Sequence, residues 1–213
     1  MSIAFTGFSN IQQAIQGYDT TASWCCPELT GNTFLSLGGG NAAGRFTPQV
    51  IQDITKYIGD VKAAGYFGVA YDIELVYANS SVMIPLFAKS FQAAKEAGLQ
   101  VIVTMSHSAP YYTESPEDAV AFIKAWVQDD NIDIISPQLY SSGHESGPIL
   151  DETFTCHQAG CTWLQFVGMK PKFMPSIVDA SHFEATNNFF RQAVPVSGYI
   201  VWAQQIPDAT TEQ

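Results

Sequence analysis

Short β-prone runs alternate along this chain with longer stretches that carry apolar residues at helical spacing. The short runs fall at residues 3–8, 33–37, 67–72, 101–104, 132–137, 172–175 and 199–201, and they predict seven strands. Between them, residues 48–64 place Val50, Ile51, Ile54, Ile58 and Val61 on one helical stripe. A helix over 84–97 ends at Gly98, and one over 116–127 follows Ser115, a suitable N-cap, with Asp118 near its positive end. Repeated strand-then-helix units predict a parallel sheet covered by helices.

A doubly wound nucleotide fold is the usual alternative at this length. Gly38-Gly39-Gly40-Asn41 does follow a strand, but neither the Gly-x-Gly-x-x-Gly spacing nor a Walker lysine is present, so a tight turn explains these glycines. The strands end instead in polar or aromatic residues: Asp72 and Glu74, Ser106 and His107, Gln138 and Tyr140, Trp202 and Gln204. Chemistry gathered at successive strand ends is the habit of a (β/α) barrel.

Among these ends, Tyr71-Asp72-Ile73-Glu74 carries the sharpest signal. Side chains alternate along a strand, so Ala70, Asp72 and Glu74 share a face, with the two acidic Cα atoms roughly 6.6 Å apart. At that separation each charge disfavours ionisation of the other, and one acid can keep a proton near neutral pH. A glutamic acid held protonated beside a carboxylate is suited to protonating the leaving oxygen of a glycosidic bond. Taken alone, the two acids would read as a solvated strand end. His107 has no Ser-His-Asp spacing around it and reads as a polar loop residue. Asp179, just past a strand, is within reach of the same end of the fold.

Composition narrows the partners. The 213 residues suffice for one buried core, no linker divides them, and a single domain over 1–213 is expected. With 20 acidic against 9 scattered basic residues, net charge −11, no cationic face is available for nucleic acid or an anionic membrane, and a neutral ligand fits best. The opening Met1-Ser2-Ile3-Ala4-Phe5 does not read as a signal peptide, and extracellular and cytoplasmic locations both stay open. Cys156 and Cys161 are spaced for a small disulfide ring, Cys25 and Cys26 are adjacent, and no set of ligands suits a metal.

With the strand ends placed, the chain resembles glycoside hydrolase family 18, especially its hevamine-like and fungal chitinase branch. Phe34-Leu35-Ser36-Leu37-Gly38-Gly39-Gly40 is similar to the third barrel strand and its Ser-x-Gly-Gly signature. Ala70-Tyr71-Asp72-Ile73-Glu74 resembles the end of the catalytic fourth strand, Gln138-Leu139-Tyr140 the sixth, and Ile200-Val201-Trp202-Ala203 the eighth. The resemblance implies a retaining hydrolase of β-linked N-acetylglucosamine glycans in which the substrate's own acetamido oxygen attacks, with no cofactor and no metal. Glu74 would be the acid, Asp72 would steady the acetamido nitrogen, and Tyr140 would bond the acetamido oxygen. Gln138 would hold the sugar or Asp72, Trp202 would form the floor, and Gly39, Met105 and Ser106 would line the pocket.

Two departures qualify that picture. Where the family has aspartates four and seven residues before the glutamate, this chain has Ala70 and Phe67. Counting back from Phe34 leaves no first strand, and the eleven residues after Trp202 are too few and too polar for the last helix. An incomplete barrel of seven parallel strands is therefore expected. Its open edge needs covering by the 20–29 segment or by a second copy of the chain in a homodimer. The loss of the acid at 70 keeps a second function in view, a lectin-like carbohydrate binder on the same scaffold. A storage or inhibitor protein that keeps the fold alone is a third.

Overall fold

The structure is a computed structural model that describes residues 1–22, 31–151 and 161–201. Its strands are β1 (Ser2–Ala4), β2 (Thr33–Gly38), β3 (Gly68–Asp72), β4 (Gln100–Met105), β5 (Ile134–Pro137), β6 (Lys172–Phe173), β7 (Ser176–Ile177) and β8 (Ile200–Val201). The helices are α1 (Ile11–Ala22), α2 (Pro48–Ala63), α3 (Ser80–Glu96), α4 (Pro116–Trp126) and α5 (Phe183–Phe190). One sheet runs β1-β2-β3-β4-β5-β6 and a second joins β7 to β8, every pairing being parallel. The strands lie in chain order with no reversal. A doubly wound sheet would reverse at a switch point. This is an incomplete (β/α) barrel.

Among the described residues seven staves are present, as the pattern predicts, but the sixth is broken. The expected strand over 172–175 runs on to Ile177 as two short ladders, β6 against β5 and β7 against β8. Pro175 lies between them and has no N–H to donate, so the ladder is interrupted there. An isolated bridge from Gln138 to Ser176 carries the pairing across the break. The first strand stops at Ala4 rather than Phe8, because Gly7, at φ +69°, turns the chain away. Among the described residues no ladder joins β1 to β8.

Alternation along the strands sorts two cores. Leu35, Leu37, Val69, Tyr71, Val101, Val103 and Ile135 face outward into the main core under the helices. Phe34, Ala70, Ile102 and Ile134 face inward and form a small separate cluster low in the barrel, with Ile3, Phe67 and Met174 against it. On the outer side, Phe87 of α3 meets Phe46, Phe91, Phe122 and Trp126, filling the space between helices with edge and stacked ring contacts.

Helix starts follow local chemistry. Thr47, Asn79 and Ser115 each accept a backbone N–H three residues on, and Pro48 and Pro116 sit where the missing N–H costs nothing. Helix α3 begins four residues before the expected 84, with Pro85 accommodated inside it. Asn79 supplies the cap, and the buried Asp118 of α4 accepts the Ser80 amide at 2.6 Å and the Ser115 hydroxyl at 2.9 Å. Burial opposes ionisation of Asp118, yet the hydrogen bonds from Ser80 and Ser115 outweigh it and hold its carboxyl below the usual range.

That depressed value fixes the sign of a pH effect. A group with a lowered folded pKa contributes stability above its unfolded value, about 3.9, and loses it as pH falls through the folded value. Asp118→Ala should therefore destabilise the protein by about 1–2 kcal/mol at pH 7. Urea unfolding of both proteins at pH 7 and pH 3 should show the gap narrowing in acid. A constant gap would assign the loss to packing alone.

Candidate active site

The C-terminal ends of β2 to β5 bring together a set of inward polar side chains. Register places Gly38 beside Asp72, Asp72 beside Thr104, and Thr104 beside Ser136. One strand step higher come Glu74, Ser106 and Gln138. The inward positions thus change from apolar low in the barrel (Ala70, Ile102, Ile134) to polar at its mouth. The lower layer keeps water out from beneath, and the upper layer supplies the chemistry.

Asp72 is 2% exposed. The Gln138 amide nitrogen donates to Asp72 Oδ1 at 2.9 Å, and the Ser106 hydroxyl donates to Glu74 Oε2 at 3.0 Å. Asp72 and Glu74 lie close enough for each to perturb the ionisation of the other. Burial raises the pKa of Asp72 well above the usual carboxylate range, and the neighbouring Glu74 charge raises it further against the opposing pull of Gln138. Burial raises Glu74 as well, tempered by Ser106, Gln138 and Asp72. Both shifts are upward, toward the protonated forms, and the two acids titrate as a pair.

Tyr140 lies two residues beyond Gln138, half-buried. Burial raises its pKa, and the charges of Asp72, Glu74 and Glu145 raise it further, so its phenol stays protonated and able to donate. The loop that carries it closes on Glu145, which accepts the amides of Ser141, Ser142 and Gly143 at 2.8, 2.6 and 3.0 Å. Burial of Glu145 works against its charge, but these bonds dominate and lower its pKa to about 2.

The glycine run after β2 lies against the acid pair. Gly39, at φ +126°, donates its amide to the Asp72 carbonyl at 2.9 Å. A side chain at Gly40 would put its Cβ 2.8 Å from Glu74 Oε2, so glycine there leaves the carboxylate its space. Asn41 knits this loop to the turn after β1, donating to the Gly7 carbonyl at 3.0 Å.

Of the expected site residues, Asp72, Glu74, Ser106, Gln138, Tyr140 and Gly39 come together. Trp202 lies outside the described residues, as do Cys25, Cys26, Cys156 and most of the 20–29 segment. Cys161 is disulfide-bonded. Met105 is a correction: it is fully buried in the helix-facing core, because consecutive strand residues face opposite ways and Ser106 takes the inner side. Asp179 is another, being exposed and spent on capping a short 3-10 turn through the Ser181 amide at 2.8 Å. His107 is fully buried rather than in a polar loop, its Nε2 3.0 Å from the Ile149 carbonyl and its ring 4.8 Å from that of Trp163.

Thr104, Ser136 and Ser176 were missed by the sequence reading. Gln138 also reaches Thr104 Oγ1 at 3.4 Å, and the Ser136 and Ser176 hydroxyls bond at 2.8 Å inside the barrel. The signal was present in the alternations Ile102-Thr104-Ser106 and Ile134-Ser136-Gln138, where a polar residue stands between an apolar one and the strand end. Among the described residues no group of three or more His, Cys, Asp and Glu gathers that could hold a metal ion.

The sequence matches no protein-family model and no curated protein. Among solved structures, the chain is similar to a class V chitinase from Pseudomonas fluorescens, with TM-score 0.46 and 14% identity over 85% of this chain and 60% of that one. It is similar to the spore cortex-lytic enzyme SleL of Bacillus megaterium, with TM-score 0.42 and 16% identity over 68% and 35%. A Schiff-base-forming fructose-1,6-bisphosphate aldolase stands at TM-score 0.43 and 14% identity over 79% and 62%. The chain spans between 35% and 62% of the lengths of these three. Such different chemistries at one low level of similarity leave the reaction to be argued from the site.

Ionisation of a buried carboxyl gives the site a measurable signature. A group whose folded pKa is raised loses stability as pH climbs from its unfolded value, about 3.9, through the folded one. Asp72→Asn keeps an oxygen for Gln138 and removes that loss. The variant should be more stable than the parent by about 1–2 kcal/mol at pH 7, with the difference vanishing near pH 4. Thermal melts across pH 4 to 8 would show it, and a variant weaker at every pH would contradict the upward shift of Asp72.

Proposed function

We propose that the chain is a retaining glycoside hydrolase that cleaves β-linked N-acetylglucosamine glycans with help from the substrate's own acetamido group. The observation that carries this reading is the buried Asp72–Glu74 pair at the barrel mouth, where burial favours the protonated form of both acids. Glu74, the more open of the two, would protonate the glycosidic oxygen and afterwards take a proton from the attacking water. Asp72 would accept from the acetamido N–H, so that charge developing on that nitrogen meets a carboxylate. Attack by the acetamido oxygen on the anomeric carbon breaks the protonated C–O bond and gives a bicyclic oxazolinium ion; water then opens it with retained configuration. Tyr140 would donate to the acetamido oxygen, and Gln138 would keep Asp72 turned toward Glu74.

A lectin-like binder on the same scaffold is the second reading, and Ala70 favours it. The position is 1% exposed and packs with Phe34, Ile102 and Ile134, so no further acid lies beneath Asp72. Gln138 and Glu74 are then the groups that orient Asp72, and their adequacy decides whether turnover or binding alone survives.

Incubation with chitin oligosaccharides, followed by analysis of released sugars, separates the two. Glu74→Gln should reduce hydrolysis by about 10²-fold or more while sugar binding persists. A parent that binds without cleaving would select the lectin. Ala70→Asp adds a charge to the apolar layer, and it should lower the melting temperature and raise activity only if a third acid relays a proton to Asp72. Lower stability with no gain in rate would show that the site does not lack that acid.

A further inference from the structure

Beyond Glu74 the chain leaves the barrel strands and builds a small exposed aromatic surface that the acid pair does not use. Phe46 bridges Val76, and Leu75 bridges Tyr112, each in parallel, so isolated bridges tie together the segments that follow β2, β3 and β4 past the site. The Tyr112 amide donates to the Glu74 carbonyl at 2.9 Å, and the Val76 amide to the Tyr112 carbonyl at the same distance. Tyr112 is thus fastened to the backbone of the proposed acid itself.

Which way this surface faces follows from its neighbours. Ile73 and Val76 both pack in the helix-facing core, an odd spacing for a strand, so the alternation slips by one residue between them. Leu75 and Tyr77 then fall on the side of Glu74, and bridge partners share a face, which puts Tyr112 there too. The rings of Tyr77 and Tyr112 lie 4.7 Å apart at 30°, each covering one face of the other. Both remain exposed, at 40% and 39%. Their mutual contact fixes the ring planes, so little freedom is lost when a ligand stacks on an open face.

We propose that Tyr77 and Tyr112 form a stacking subsite for a second sugar ring of the same glycan, next to the residue held at Glu74. The proposal rests on the hydrolase reading above and names where the chain extends. A pyranose presents apolar C–H faces and a polar hydroxyl rim, which matches tyrosine, an apolar ring with a polar tip. Tyr77 lies three residues past Glu74, about 10 Å along an extended backbone, within reach of a neighbouring ring. The protein's net charge of −11 argues against an anionic occupant.

The test uses the 213-residue chain carrying Glu74→Gln, so that ligands bind without being consumed. Titration calorimetry with N-acetylglucosamine oligomers of increasing length should show affinity rising with length. Tyr77→Ala and Tyr112→Ala in that background should each remove most of the gain, about tenfold for the longer oligomers, so that long and short ligands bind alike. Tyr112→Phe, which keeps the ring, should restore it. Length dependence that survives both alanine variants would overturn the subsite while leaving the acid site standing. Dissociation of a dimer on Tyr77→Ala, seen by light scattering, would assign the surface to a second copy and overturn it too. Should no oligomer of any length bind to the parent, the reading of the acid site falls and this one with it.

Discussion

Everything at the barrel mouth depends on the register between parallel strands. Hydrogen bonding fixes Asp72 opposite Thr104 and Thr104 opposite Ser136, and side-chain alternation then decides which groups enter the barrel. A slip of one residue in β3 would turn Tyr71 and Ile73 inward and send both acids into the helix layer. The outer core prevents that slip. Tyr71 is completely buried there, its hydroxyl 2.8 Å from that of Ser90 and its ring in edge contact with Phe91, and no inward position could take it.

The site is held at a cost to stability that the surrounding polar shell reduces. Burying two carboxyls next to one another is unfavourable unless a proton is shared and the remaining lone pairs are met. Gln138 meets Asp72, Ser106 meets Glu74, and the glycine run allows a close backbone approach where any side chain would intrude on Glu74. Beneath them the apolar layer around Ala70 excludes water and keeps the local dielectric low, which strengthens each of these contacts. The same layer limits the proposed chemistry, since it offers no further acid to relay a proton.

Much of the architecture was legible in the sequence because it rests on local pattern. Short β-prone runs gave the strand order and helical stripes gave α2, α3 and α4, with the cap at Ser115 written in a single residue, while α1 and α5 were not anticipated. The break at Pro175 was also there to read, since proline cannot extend a ladder. Misplacements arose where a contact distant in sequence settled the matter. Helix α3 starts early because Asp118, on another helix, takes the Ser80 amide. His107 is buried because Trp163 and the Ile149 carbonyl come to it from later in the chain.

The candidate site divides the same way. The sequence by itself determined that Asp72 and Glu74 share a face and that polar groups collect at strand ends, because alternation is a property of one strand. Only the tertiary structure decided which groups meet them. Thr104, Ser136 and Ser176 are ordinary strand hydroxyls until register sets them around Gln138, and Met105 is excluded once Ser106 takes the inner face. The pairing of Tyr77 with Tyr112 needs two segments brought side by side and a shift in alternation after Ile73. Those decisions belong to hydrogen bonds between strands, which no single strand's sequence contains.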